Sequence, residues 1–128
     1  MNKLHDILTK EDIIIMVDSF YTKIREDELL GPIFSDKIED RWEKHLATMY
    51  NFWENLLFGN NTYQGHPFPP HMNLPIGLEH FERWLQIFHH NLDEQFSGPK
   101  TEEAKTRAAS IASIFHHKIE AIRGNQTN

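Results

Sequence analysis

The sequence predicts an all-α protein. Over several long stretches, apolar residues recur at alternating intervals of three and four, which places them on one face of a helix. Glycine and proline interrupt the chain between these stretches, and no stretch alternates apolar and polar residues as a half-buried strand does. The 128 residues are expected to form one domain, 1–128, which is long enough to bury a core.

The first helix is predicted to begin after Thr9. Thr9 and Asp12, three residues later, resemble a capping box in which Asp replaces the usual Glu. The turn signal at 30–32, Leu-Gly-Pro, is expected to end this helix. Its apolar face consists of Ile13, Ile14, Val17, Phe20, Tyr21 and Ile24.

The second helix carries the longest regular apolar pattern in the chain. We expect Ser35 or Asp36 to cap its start, because both side chains accept hydrogen bonds from helix amides. Gly59 suits the left-handed conformation that ends many helices. The apolar face comprises Ile38, Trp42, His45, Leu46, Met49, Phe52, Trp53, Leu56 and Leu57.

Residues 59–77 are rich in Gly, Asn and Pro and are predicted to form a loop. A third helix is expected from about Leu78 to Phe96. The Ser-Gly-Pro sequence at 97–99 predicts the start of a fourth helix, with the Ser or the Gly as cap and the Pro in the first turn. The fourth helix is expected to stop near Gly124.

Composition excludes several kinds of protein. The chain has no cysteine, which excludes disulfides, zinc–thiolate sites, iron–sulfur clusters and thiol catalysis. A net charge of −6 without a basic cluster argues against a nucleic-acid partner. No secretory signal and no apolar run of ~20 residues is visible. We therefore expect a cytoplasmic protein with no membrane partner.

The segment Gly65–Pro75, here called the proline-rich segment, reads GHPFPPHMNLP and contains two histidines, His66 and His71. Each proline fixes φ and removes an amide donor, so the segment is predicted to be stiff and non-helical. A stiff segment between amphipathic helices suggests that one of its histidines is aimed at a ligand.

Three polar tips lie on the predicted apolar faces: Tyr21, His45 and Trp84. Taken singly, each is typical of core packing, and a buried histidine in particular needs a polar partner. Together with His71, they can converge on a pocket for a small polar ligand.

Motifs for other chemistry are absent. No serine sits in a nucleophile elbow, no glycine-rich phosphate loop occurs, and neither Glu-x-x-His nor His-Glu-x-x-His is present. What remains is one axial histidine in an aromatic-rich helical shell, and these are the features that a haem needs.

Four blocks of the sequence resemble the truncated haemoglobins, specifically group III. They read FYTKIREDELLGPIF (Phe20–Phe34), HLATMYNFW (His45–Trp53), GHPFPPHMNLP (Gly65–Pro75) and FERWLQIF (Phe81–Phe88). The resemblance extends from about Ile13 to Ile122. It implies a globin-like fold, shortened to a two-on-two helical sandwich around a haem.

The resemblance also implies roles for individual residues. His71 is the expected proximal ligand of the iron of haem b, iron protoporphyrin IX. Tyr21 and Trp84 are expected to donate hydrogen bonds to the bound ligand, and His45 to stand at the pocket mouth as a gate. The slot is expected to be lined by Phe34, Met49, Phe52, Trp53, Leu74, Phe81 and Phe115. Candidates for contact with the haem propionates, by charge and position, are Lys37, Lys44, His66 and Arg83.

The implied ligands are O2, NO and CO. Two neutral donors in a dry pocket predict slow O2 release, which suits chemistry on the bound ligand better than bulk oxygen transport. NO detoxification or a peroxidase-like activity is expected, with an external reductase. The alternatives are a non-catalytic O2 or NO sensor or scavenger, and a haem-free helical interaction domain.

Overall fold

The computed structural model describes residues 4–59 and 76–126, and within these ranges the chain is helical and contains no strand. The prediction of an all-α fold is therefore confirmed. The five helices are α1 (Lys10–Glu26), α2 (Gly31–Ile38), α3 (Trp42–Phe58), α4 (Leu78–Gln95) and α5 (Pro99–Gln126).

The start of α1 is the predicted capping box. The amide of Asp12 donates to Oγ1 of Thr9 at 3.2 Å, and the Asp12 carboxylate accepts the amide of Thr9 at 3.1 Å. Two amides that a helix start leaves without partners are thereby satisfied. The buried face of α1 contains Ile13, Met16, Val17, Phe20, Tyr21 and Ile24.

The chain after α1 departs from the prediction. The Asp27 carboxylate accepts the amides of Leu29 at 3.1 Å and Leu30 at 3.0 Å, which closes a tight turn. A short helix, α2, then begins at Gly31, with Pro32 in its first turn, where a missing amide hydrogen has no cost. The turn signal at 30–32 therefore marks the start of α2, whereas α1 ends four residues before it, at Glu26.

Ser35 and Asp36 lie inside α2, so the prediction that one of them caps the long second helix is wrong. The long helix, α3, begins only at Trp42. Ile38 is the last residue of α2, and Glu39 breaks the helix with a φ of +58°. Ile38 and Trp42 are four residues apart, which is the spacing expected on one continuous helix. The apolar pattern therefore could not reveal the break between α2 and α3.

The ends of α3 and α4 agree with the sequence. Gly59 has a φ of +72° and forms the left-handed cap of α3. Glycine adopts this conformation without the steric strain that a residue with a Cβ would have there. Helix α4 ends at Gln95, one residue before the predicted Phe96. Among the described helices, α1 packs on α3 and α4, and α5 packs on α3 and α4.

A buried asparagine joins α1 to α4. Asn91 is 0% exposed, and its Nδ2 donates to the carbonyl of Met16 at 3.1 Å. Its Oδ1 accepts from Nζ of Lys23 at 2.9 Å and from Nε2 of Gln95 at 3.0 Å. A buried amide with partners on both its donor and acceptor sides fixes the register between two helices, because a shift would leave it unsatisfied.

The start of α5 is capped by a residue far away in the sequence. Gly98 occupies the cap position, as predicted, but it has no side chain to offer. Asp6 supplies the cap: its carboxylate accepts the amides of Lys100 and Thr101, both at 2.8 Å, and Oγ1 of Thr101 at 2.7 Å. A Cβ on Gly98 would lie 2.5 Å from Cγ of Asp6, so the close approach requires glycine.

Replacing Asp6 by alanine is expected to lower the free energy of unfolding by about 1–2 kcal/mol, because α5 loses its cap. Burial acts to raise the pKa of Asp6, but the hydrogen bonds from Lys100 and Thr101 together outweigh it and lower the pKa. A carboxylate whose pKa is lowered by folding stabilises the fold above its unfolded-state pKa of about 3.9 and loses this effect as the pH falls through the folded-state value.

Urea unfolding from neutral to acid pH measures this effect. The difference between wild type and Asp6→Ala should be full at neutral pH and should shrink below about pH 4. Asp36→Ala is the matched control, because it removes the same charge from an exposed side chain on α2. A loss at Asp6 no greater than that at Asp36 would contradict the capping role.

Candidate functional site

A cleft lies among the helices, and each of the five contributes to its walls. The space between its walls is about 870 Å³, including the open mouth. The described residues that line it are Tyr21, Leu30, Ile33, Phe34, His45, Met49, Phe52, Trp53, Ile76, His80, Phe81, Trp84, Ile111, Ala112 and Phe115.

The cleft brings together nine of the residues that the sequence singled out, from all five helices: Tyr21, Phe34, His45, Met49, Phe52, Trp53, Phe81, Trp84 and Phe115. His71 and Leu74 lie outside the described residues, as does His66. The shared cleft is a finding of the structure, whereas the role of each residue toward a ligand stays a prediction.

Tyr21 is one of the polar side chains in the cleft and is only 7% exposed. Its ring meets the edge of the His45 ring at 5.0 Å between centroids, and the ring of Phe34 at 6.0 Å. Burial raises the pKa of the Tyr21 phenol well above its ordinary value. Tyr21 therefore stays a neutral hydroxyl, which can donate a hydrogen bond, over the whole physiological range of pH.

His45 is held between two aromatic rings on the half-buried face of α3. Its ring is 5.0 Å from that of Tyr21 and 5.9 Å from that of Trp42, and both contacts are edge-to-face. The outer face of Trp42 is in turn covered by the guanidinium of Arg25, 4.5 Å from the ring centroid. These contacts fix the orientation of the histidine at the cleft.

Trp84 belongs to a continuous aromatic wall. Its ring stacks on Phe88 at 5.6 Å, and Phe88 stacks on Trp53 at 5.1 Å. Phe20 closes the set with an edge contact to Trp84 at 5.6 Å. Aromatic pairs in these geometries contribute about 0.5–1.5 kcal/mol each beyond the burial of their area. Trp53 and Trp84 are thus rigid parts of the cleft wall.

Sequence reasoning missed six of the lining residues: Leu30, Ile33, Ile76, His80, Ile111 and Ala112. His80 is the one polar side chain among them. The sequence could have predicted its position, because His80 lies four residues before Trp84 and therefore on the same face of α4. The aliphatic residues were visible only as members of apolar faces, and periodicity alone does not tell a cleft wall from a core.

The cations proposed as propionate contacts do not line the cleft. Arg83 binds the Asp27 carboxylate through Nη2 at 2.6 Å and through Nε at 2.7 Å, in a separate groove between α1 and α4. Lys37 and Lys44 are exposed and lie outside the lining. The described part of the cleft therefore contains neither lysine nor arginine.

Comparison with known proteins identifies the family. The family model for bacterial-like globins matches residues 4–120. A group 3 truncated haemoglobin of Campylobacter jejuni is 33% identical over 124 residues, which cover 94% of this chain and 98% of the relative. The chain belongs to the group III truncated haemoglobins.

A solved structure supports the same family and the same fold. This globin matches the crystal structure of the group III truncated haemoglobin from Campylobacter jejuni with a TM-score of 0.83 and 33% sequence identity, over 91% of this chain and 95% of that chain. The predicted globin-like fold is confirmed. Membership of the family makes the chain a haem-binding globin that takes small diatomic ligands. Across the described ranges, no helix of this globin has the length and apolarity to cross a membrane.

The cleft of this globin suits a haem. Its walls are mostly aromatic and aliphatic, which matches a flat apolar macrocycle, and a few polar tips remain for the iron's ligand and for the polar edge of the cofactor. Within residues 4–59 and 76–126, no three His, Asp or Glu side chains converge as they would around a bare metal ion. The apolar and aromatic lining is what fits a flat organic cofactor.

Proposed function

We propose that this globin holds haem b in the cleft, with His71 as the proximal iron ligand, and that it retains O2 and acts in O2 and NO chemistry. The observation that carries the proposal is that two neutral hydrogen-bond donors, Tyr21 and Trp84, lie on one apolar cleft. Haem, when bound, supplies an iron that takes a diatomic ligand and exchanges electrons with it.

The chain supplies the surroundings of that iron. His71 provides a neutral imidazole from the proline-rich segment, in which few backbone amides compete for hydrogen bonds. Tyr21 and Trp84 donate to a ligand that gains negative charge, and Phe34 and Phe52 help to keep water out of the cleft. His45, at the edge of Tyr21, is placed to gate the ligand or to bond it.

The donors determine how tightly the ligand is retained. A neutral hydrogen bond contributes about 0.5–1.5 kcal/mol, and a difference of about 1.4 kcal/mol is a factor of ten in an equilibrium constant. Two donors can therefore slow O2 dissociation by up to roughly a hundredfold in total. A protein that releases O2 so slowly is poorly suited to bulk transport and better suited to a reaction on the bound ligand.

The first prediction concerns the donors. Tyr21→Phe and Trp84→Phe are each expected to raise the O2 dissociation rate by up to roughly tenfold, because each removes one hydrogen bond to the ligand. Stopped-flow replacement of O2 by CO measures the rate. Tyr50→Phe is the matched control, since the Tyr50 hydroxyl donates to Asp18 and does not line the cleft. Unchanged rates in both cleft variants would exclude the donor model.

The second prediction concerns the iron ligand. His71→Ala is expected to lose the intense Soret absorption of the wild-type protein and to recover it when imidazole is added, because free imidazole can take the vacated coordination position. His66→Ala, in the same segment, is the control and should keep its spectrum without imidazole. If His66→Ala rather than His71→Ala lost the absorption, the proximal assignment would be wrong by five residues while haem binding still stood.

The third prediction separates an enzyme from a binding protein. The O2-equilibrated protein is mixed repeatedly with NO in the presence of a reductase and its reductant, and nitrate is counted. NO dioxygenase activity predicts many nitrates per haem, and omission of the reductase should stop turnover after one. One nitrate per haem in both cases would instead favour a sensor or scavenger. The external reductase, the peroxidase-like activity and the cytoplasmic location stay predictions.

A further inference from the structure

His80 is the one polar side chain of the described cleft to which the proposed function gives no role. It lies in the first turn of α4, four residues before Trp84 on the same face of the helix. The first turn is exposed at Leu78 and Glu79, and the helix becomes buried further on, at Ile87. His80 is half-buried and lines the cleft at this exposed start of α4, which we call the rim of the cleft; Trp84 lies one turn further along the helix.

The start of α4 fixes the tautomer of this histidine. The amide of Gly77 donates to Nδ1 of His80 at 2.9 Å, and the amide of His80 donates back to the carbonyl of Gly77 at 3.0 Å. A backbone amide can only donate, so Nδ1 must be the accepting nitrogen. The neutral ring consequently carries its hydrogen on Nε2.

This tautomer decides what His80 can bind. A metal ligand needs a nitrogen lone pair, and the lone pair on Nδ1 is already used by Gly77 while Nε2 is protonated. While it caps α4, His80 is thus excluded as an iron ligand and is a hydrogen-bond donor from Nε2. Among the described residues its one polar partner is the amide of Gly77, so this second nitrogen remains available for a ligand.

The acceptor that Nε2 meets is suggested by the composition of the cleft. Haem is an amphiphile: an apolar macrocycle with two carboxylate side chains along one edge. An apolar cleft takes up the macrocycle and leaves the carboxylates at the rim, where water and polar groups solvate them. The described cleft offers no lysine or arginine for this purpose, since Arg83 is bound to Asp27 in the other groove.

We propose that His80 binds a propionate carboxylate of the haem through Nε2–H, and so anchors the cofactor at the rim of the cleft. This inference rests on the proposed placement of haem in the cleft. The same side chain then performs two tasks at once: Nδ1 caps α4, and Nε2 holds the cofactor. The cap keeps the ring in the tautomer that donates from Nε2.

The test uses two variants of nearly equal shape, His80→Gln and His80→Glu. Both offer a side-chain oxygen to the Gly77 amide, as the third residue of a capping box does. They differ toward a carboxylate, because Gln can donate a hydrogen bond whereas Glu places a like charge beside it. Haem transfer from the loaded proteins to excess apomyoglobin is followed at neutral pH.

The Gln variant is expected to lose haem within about threefold of the wild-type rate, and the Glu variant about tenfold faster, which corresponds to one lost or repelled contact of ordinary strength. The experiment is repeated with haem dimethyl ester, whose propionates carry no charge. With the ester, the difference between Gln and Glu should shrink to within about threefold, because the repulsion is gone and a neutral ester carbonyl accepts a hydrogen bond less strongly than a carboxylate does. Far-UV circular dichroism of the loaded proteins should be the same for both, because both retain the cap.

Two results would overturn the proposal: equal haem loss from the Gln and Glu variants, or a difference between them that is as large with the dimethyl ester as with haem. If the Glu variant does not fold, His80→Leu replaces it. The Leu variant lacks the donor and is expected to lose haem a few times faster than the Gln variant does. For the ester, the two variants should differ less, because its carbonyl is a weaker acceptor than a carboxylate. Failure of the proposed function itself would look different, since it would appear in the His71 and Tyr21 variants whatever happened at His80.

Discussion

The ring of Phe88 is the contact on which the cleft depends. Phe88 is 1% exposed, and it meets Phe20 of α1 edge-on at 5.2 Å while it stacks on Trp53 of α3 and on Trp84 of its own helix. One side chain therefore ties three helices together through aromatic contacts that are favourable in only a few geometries. Its neighbours Trp53 and Trp84 are held by these contacts, and both also line the cleft. The shape of the cleft therefore depends directly on how the core is packed.

Polar groups divide into those that hold the helices and those that serve the site. Asn91 and Asp6 have their hydrogen bonds satisfied inside the protein, the first between α1 and α4 and the second at the start of α5. They define positions without facing the cleft. Tyr21, Trp84 and His80 line an apolar surface instead, where a donor is worth more than in water because little solvent competes for it. The hydrogen bonds that hold the helices together therefore lie outside the cleft and do not use the donors that face it.

The two faces of α4 show how the site acquires its chemistry. His80 and Trp84 are four residues apart and turn toward the cleft. Arg83 turns toward the groove that it shares with Asp27, and there its charge is neutralised. Proximity in sequence suggested Arg83 as the partner of an anionic cofactor edge, whereas helix geometry turns His80, and not Arg83, toward the cleft. The cleft thus gains a donor without gaining a buried charge, which would be costly to desolvate.

The sequence by itself determined the helical class, the capping box at Thr9, the left-handed cap at Gly59 and the family, because these depend on local spacing and on short motifs. It also named nine residues of the cleft. Tertiary structure decided the rest: α2 between Gly31 and Ile38, the cap that Asp6 provides to Lys100 across 94 residues, and the place of His80. Periodicity states which face of a helix is buried, but not which partner that face meets. The partner depends on how the helices pack, and that depends on the whole chain at once.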